Sequence, residues 1–190
     1  MKFGPIPTEN AVGAIAAHSV RLANLTIKKG MHFSSSDISS LLAEGVASVI
    51  VALPDADDIL ENEAAEQLAK ALSGAHIRLD RPTTGRTNLF AESAGVLELN
   101  VPAIDRLNAI DEAITFATLP HLRAVERGEM IGTVKIIPFA VPKSIFEKAI
   151  SALGGESVIS IRPFLPKRVA AISTLLPGLK TSVINKTIAV

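Results

Sequence analysis

Apolar and polar positions along this chain switch between a two-residue and a helical period, and the switches mark out its elements. Residues 12–22 carry Val, Ile, Ala and Val with no turn residue after Gly13, and predict a strand. LTI (Leu25, Thr26, Ile27) leads into KKG, a polar turn in which Gly30 is free to take positive φ. SSSDISSLLAEG predicts a short helix capped by Ser35 or Ser36, with Ile38, Leu41 and Leu42 on its apolar face and Gly45 as its stop. The β-branched strand VASVIVALP follows at once. Pro54 and the run DADD then break the pattern before ILENEAAEQLAKALSG, where Leu60, Ala64, Leu68 and Leu72 fall at helical spacing ahead of Gly74. The charges of that helix, Glu61, Glu63, Glu66 and Lys70, read as a solvated face with acid at the positive end of the dipole.

From His76 the texture turns to strands: HIRLD, RTNLFAE and GVLELN, separated by RPTTG and ESAG. A helix is predicted from Ala103 to Ile110, opened by Asn100 or Pro102, and the strand AITFATLP follows it. In VERGEMIGTVKIIPFAV the ERGE turn and the alternation of Met130, Gly132, Val134 and Ile136 predict a strand entering a hairpin or small barrel. PKSIFEKAISALGG is a helix starting near Pro142, with Ile145, Ala149 and Leu153 on one face.

SVISIRPFLP gives one more strand and a proline-bounded joint. KRVAAISTLL then has the texture of a strand buried on both faces of a parallel sheet. Such a strand needs crossover neighbours, each unit taking roughly 30 residues. The sequence after it is shorter than that. The strand therefore either opens an unfinished doubly wound α/β domain or joins a sheet completed by another chain or by earlier segments. The expected architecture is mixed α+β: an α/β unit over residues 1–80, a β-rich and barrel-like unit with helices over 81–165, and the start of a further domain over 166–190.

Composition adds limits. Of 190 residues 48% are hydrophobic, enough for a real core, and aromatics make up only 4%, so packing rests on aliphatic side chains. Tyr and Trp are absent, and the seven Phe residues sit in apolar runs, which argues against a platform for stacking single-stranded bases. Nineteen basic residues balance nineteen acidic ones, which argues against a general phosphate-backbone binder. No nucleic-acid partner is expected. Without cysteine there is no disulfide framework, thiolate metal site or cysteine nucleophile, which fits the cytoplasm. MKFGPIPTEN lacks the apolar core of a signal peptide, and apolar stretches such as VASVIVALP are about half of a membrane span.

Four histidines, His18, His32, His76 and His121, lie in separate segments with no metal-ligand spacing, so a metal site is not expected. Phosphate-loop, dinucleotide and nucleophile-elbow motifs are missing. RPTTGRTNLFAE comes nearest. Thr83, Thr84, Gly85, Arg86 and Asn88 gather two hydroxyls, a permissive glycine, a guanidinium and an amide, which would suit an oxyanion. The alternative is a β-turn with a solvated arginine. In a second cluster, Asp105, Asn108, Asp111 and Glu112 share one face if their helix persists, the spacing of an acid–base or metal pair or simply of an exposed face. Lys135 is a lone charge in the apolar strand TVKIIPF, either solvated by alternation or aimed into a site.

AVGAIAAHSVRL with KKGMHFSSSDISSLLAEGVASVIVA, TGRTNLFAESAGVLELN with LNAIDEAITFATLP, and GEMIGTVKIIPFAVP with RVAAISTLLPGLKTSV together resemble the MoeA-like molybdopterin-binding proteins. The resemblance spans nearly the whole chain, and TGRTNLFAE and TVKIIPFAVP are fairly specific to this branch. Members are often fused to a nucleotidyltransferase-like domain related to MobA proteins. The resemblance implies that this is the N-terminal region of a longer molybdenum-cofactor biosynthesis protein. Its pterin-binding domain would begin near Lys167, with LPGLK (176–180) as the first loop. The implied cofactor is molybdopterin or molybdenum cofactor, and the implied whole is a molybdotransferase-like enzyme of which this region alone is not expected to be active. Thr84, Gly85, Arg86, Asn88, Lys135 and Lys180 are the expected ligand contacts.

Two functions of different class follow. In the first, the chain supplies scaffold, interface or one wall of a pterin site. In the second, it is a structural module that dimerises or positions domains without touching a ligand, for which zero net charge and an aliphatic surface are suited. A hydrolase built on Asp111 or Glu112 is a weaker third.

Overall fold

The computed structural model describes residues 1–22, 25–155 and 157–170, together with positions 172, 182 and 186. The architecture is mixed α/β, with four α-helices and five small sheets among the described residues. In chain order the first lobe runs β1 (Lys2–Pro7), one turn of 3-10 helix (Thr8–Asn10), β2 (Ile15–Ala16), β3 (Val20–Arg21), β4 (Thr26–Ile27), α1 (Ser35–Ala43) and β5 (Ser48–Leu53). β5 is the centre of an antiparallel sheet ordered β1-β5-β2, and β3 pairs with β4.

The strand predicted over 12–22 is broken in two. Gly13 turns at φ 80°, Ala14 to Ala17 are all buried, and a bend exposes His18 and Ser19. Four buried residues in a row cannot alternate across a sheet, which is why only two of them pair as β2. Strand β1 lies in a stretch for which the sequence predicts no element; its Pro5 and Pro7 are tolerated because β1 is an edge strand. Helix α1 starts one or two residues earlier than predicted. Ser34, not Ser35 or Ser36, is its cap: the Ser34 hydroxyl accepts from the Asp37 N–H at 3.2 Å while Asp37 Oδ2 accepts from the Ser34 N–H at 2.8 Å. Ile38 and Leu41 are buried, whereas Leu42 is exposed. With Ala11, Ala14, Ala16, Ile27, Phe33, Val49 and Val51 they form the first core.

The second lobe continues with β6 (Asp58–Leu60), α2 (Glu61–Leu72), β7 (Ile77–Leu79), β8 (Arg86–Ala91), β9 (Gly95–Leu99), α3 (Val101–Asn108), β10 (Ile114–Thr118), β11 (Ala124–Val125), β12 (Met130–Ile136), β13 (Ala140–Pro142), α4 (Lys143–Ala152) and β14 (Ile159–Pro163). Helix α2 buries Ala64, Ala65, Leu68, Ala69 and Leu72 against the antiparallel sheet β10-β12-β8-β7. Each fully buried leucine contributes about 1.5–3 kcal/mol. Leu60, expected on that helix face, instead ends β6, opposite Ala140 of β13.

No sheet closes into a barrel among the described residues; β12 lies inside an open sheet between β8 and β10. The predicted alternation also slips at its start. A bulge between Met130 and Gly132 exposes Met130 and buries Ile131, while Gly132 is held against the Phe116 ring, 3.1 Å from where a Cβ would sit. A third sheet, β11-β9-β14, completes the lobe.

The buried parallel strand expected at 167–176 is not formed over residues 167–170, which are exposed and carry no ladder. Val169 is 87% exposed. A strand buried on two faces needs partners on both edges, and none lies along this stretch among the described residues. Most of the rest of that segment, with LPGLK and Lys180, lies outside the described residues. No described helix is long and apolar enough to cross a membrane.

Candidate functional site

The residues singled out in TTGRTN form a tight hairpin at the head of β8. The Thr83 N–H donates to Arg86 O at 2.9 Å and the Arg86 N–H donates to Thr83 O at 3.0 Å, enclosing Thr84 and Gly85. Positive φ at both, 48° and 68°, is the geometry of a type I′ turn. For a β-branched threonine this is a strained conformation, costing on the order of 1–2 kcal/mol. Three contacts over-determine it. Thr84 O accepts from Lys135 Nζ at 2.6 Å, the Gly85 N–H donates to Asn62 Oδ1 at 2.8 Å, and Gly85 O accepts from the Ile136 N–H at 2.8 Å.

The hairpin lies on one side of a cleft between the two lobes. A cavity of about 300 Å³ is lined by Lys29, Gly30, Glu61, Thr84, Lys135, Ile137 and Phe139. A hollow of about 230 Å³ shares Gly30, Glu61 and Phe139 with it and reaches His32 and Glu63. The first lobe brings Lys29 on the turn after β4, with its ammonium 5.4 Å from the centre of the Phe139 ring. The second brings Glu61 at the start of α2 and Lys135 near the end of β12.

Charge in this cleft is unbalanced. Lys135 and Arg86 stand directly opposite each other in the β12–β8 ladder, a like-charged pair that disfavours the ladder. Among the described residues no carboxylate forms a salt bridge with Lys29, Arg86 or Lys135. Burial pulls the Lys135 ammonium below its usual range; Glu61 opposes that shift, and Arg86 and Lys29 add to it. Burial likewise raises the Glu61 carboxyl, against the pull of Lys135 and Lys29.

Thr84, Gly85, Arg86 and Lys135 are thus brought together. Asn88, two residues along the same face of β8, is engaged otherwise: its amide donates to Asp80 Oδ2 at 2.8 Å and its carbonyl accepts from the Thr133 hydroxyl at 2.8 Å. The Arg86 guanidinium reaches Thr133 Oγ1 at 3.4 Å. Lys29, Glu61 and Phe139 were not singled out by sequence, and Glu61, expected on a solvated face, is half-buried in the cleft. No local signal marks it, since its partners come from residues far along the chain.

The second polar cluster does not assemble. Helix α3 stops at Asn108, so Asp105 does not share a face with Asp111 and Glu112. The Asn108 side chain instead clamps Phe116, donating to its carbonyl at 2.9 Å and accepting from its N–H at 2.8 Å, and Asp111 Oδ1 accepts from the Ala113 N–H. The His121 ring nitrogen Nδ1 accepts from the Leu99 N–H at 3.0 Å. Among the described residues no group of three or more His, Asp or Glu side chains could hold a metal ion. A larger open hollow of about 610 Å³ is lined by Asn62, Glu66, Lys70, Leu79, Asp80, Arg81 and Pro82; there Glu66 pairs with Lys70 and Asp80 holds Asn88.

A family model described as a domain of unknown function (DUF8806) matches residues 5–53, from within β1 to the end of β5, and this stretch carries Lys29 to the cleft. No curated protein and no solved structure matches the chain.

Proposed function

We propose that this chain is the N-terminal region of a molybdopterin-binding protein of molybdenum-cofactor biosynthesis, and that its interlobe cleft forms one wall of the ligand site. One observation carries the reading: Lys29 and Lys135 line one cleft with Glu61 as its lone acid, Arg86 stands beside Lys135 in the ladder, and no carboxylate forms a salt bridge with any of the three cations among the described residues. Molybdopterin ends in a phosphate monoester, a dianion of the kind that such a cluster would neutralise, so the residues fit the group. Lys29, Thr84, Arg86 and Lys135 would hold that end. When bound, the pterin supplies the dithiolene sulfurs that take the metal. The reading includes a cytoplasmic location, a homodimer and a pterin-binding domain beginning near residue 166.

The test is retention of molybdopterin by the natural full-length protein. Arg86→Ala and Lys135→Gln should each weaken binding about tenfold or more, the size of one lost charge-assisted contact. Unchanged affinity in both variants would remove the assignment.

A second reading, a module that positions domains or dimerises without ligand contact, is favoured by Phe164, Leu165, Val169 and Ile172, all more than half exposed after β14. Sedimentation of the chain with and without Phe164→Ser and Leu165→Ser separates the two: dissociation of a dimer that binds no pterin supports it.

A further inference from the structure

We propose that the cleft binds a tetrahedral dianion, a phosphate monoester or its equivalent, with the Glu61 side chain meeting it as a protonated hydrogen-bond donor, so that binding takes up one proton. The inference rests on the reading of the cleft as an anion site and adds to it how the lone acid there is accommodated.

Glu61 Oε2 and Lys135 Nζ lie 2.7 Å and 3.0 Å from one point, the position a Cβ on Gly85 would take. Both side chains also line the same cavity, so an anion held there by the Lys135 ammonium comes close to the Glu61 carboxyl. Two ionised oxyanions at that separation repel strongly in a half-buried site, as paired carboxylates do. If Glu61 carries a proton the contact changes sign, because a carboxylic acid donates an O–H to the anion and ion–hydrogen bonds of this kind are the strong ones. Burial in the cleft already favours the neutral carboxyl in the free protein. An anion removes the opposing pull of Lys135 and Lys29 by neutralising them. The other titratable groups near Glu61 are His32 and Glu63, which line the adjoining hollow, while Arg86 acts on Lys135.

The proton goes from solvent to Glu61 as the anion enters and returns to solvent as it leaves; no covalent bond changes. The consequence is a linkage that a merely cationic patch would lack. Above the pKa of Glu61 in the free protein, affinity should fall about tenfold per pH unit, the slope of one coupled proton.

The probe is sulfate, whose own charge is constant over the working range, titrated calorimetrically into the full chain in two buffers of different ionisation enthalpy. A phosphate monoester serves as the second ligand. Wild type should take up about one proton per sulfate. Glu61→Gln keeps the shape and an N–H donor; it should bind at least as tightly at neutral pH and take up no proton. Proton uptake that persists in Glu61→Gln would assign it to another group and overturn the inference, leaving the anion site intact. Failure of the wild type to bind either anion would overturn both. Retained binding with the proton lost in Glu61→Gln, together with loss of binding in Lys135→Gln, supports both.

Discussion

Glu61 and Lys135 come from elements far apart in the chain and converge on the space that Gly85 leaves empty: the carboxylate oxygen sits 2.7 Å and the ammonium nitrogen 3.0 Å from where a Cβ would be. The same point is 2.6 Å from the carbonyl oxygen of Ile136. An acid, a cation and a backbone carbonyl thus pack against the hairpin where a side chain would otherwise sit.

Gly85→Ala should therefore be costly on two independent grounds. The added methyl meets Ile136 O, a backbone atom that cannot step aside, and the backbone at φ 68° is one that alanine adopts with strain. The expected loss is about 1–3 kcal/mol of unfolding free energy by urea titration, accompanied by loss of sulfate binding. A variant as stable as the wild type would show that the hairpin can shift away from β12 without cost.

Glu61 also sets a pH dependence in the ligand-free protein. Its folded-state carboxyl is raised above the 4.5 of the unfolded chain, chiefly by burial. Between those two values the folded state holds more proton than the unfolded state, so the contribution of Glu61 to stability is full below about 4.5 and is lost as pH rises through the folded pKa. Glu61→Gln removes that loss. Relative to wild type it should gain stability between pH 4 and pH 7, read from urea midpoints at the two pH values; a difference independent of pH would contradict the burial of Glu61.

The parts of this site that were legible in sequence are contiguous ones. TTGRTN could be read as a turn with a permissive glycine because turn chemistry is local, and Lys135 stood out because a charge interrupts an apolar strand. Lys29, Glu61 and Phe139 were not legible, since their meeting depends on how the first lobe sits against α2 and β13. Glu61 in particular has the pattern of a solvated helix start, and only the tertiary cover of Phe139 and the Lys29 turn changes its surroundings. In the fold, helical spacing located α2 and α4 well. It misplaced the strand at 12–22, where small alanines are buried on every side rather than in alternation. It also predicted a barrel from one alternating strand, although closure depends on the pairing of the edges β7 and β10, which a strand pattern does not contain.

The sequence sets Asn108 in a row of polar residues on one helix face, and the structure gives it a different task. Its amide forms both hydrogen bonds that a neighbouring strand would offer Phe116, on the outer side of the edge strand β10. Removing it leaves two half-buried backbone groups of β10 without their partner. Asn108→Ala should cost about 1–3 kcal/mol and should speed hydrogen exchange at the Phe116 amide. Anion binding should be unchanged, since β10 is not part of the cleft; a loss of binding without loss of stability would implicate the cluster in function after all.

The cap of α1 gives an independent test of the first lobe, with a sign fixed by acid. The Ser34 hydroxyl donates to Asp37 Oδ2 at 2.6 Å and the Ser34 N–H donates to the same oxygen, and these bonds hold the Asp37 carboxyl below its ordinary 3.8. A depressed folded pKa contributes stability above about 3.8 that disappears as pH falls through the folded value. Ser34→Ala removes the hydroxyl bond to Asp37 and the cap on the Asp37 N–H together, so it should cost about 1 kcal/mol at pH 7. Once pH has fallen through the folded pKa, Asp37 is protonated in either chain and the ionic part of the box is gone. The difference between the two proteins should then shrink, and a penalty that stays constant down to pH 2 would mean that the cap acts through the Ser34 hydroxyl alone, without the carboxylate.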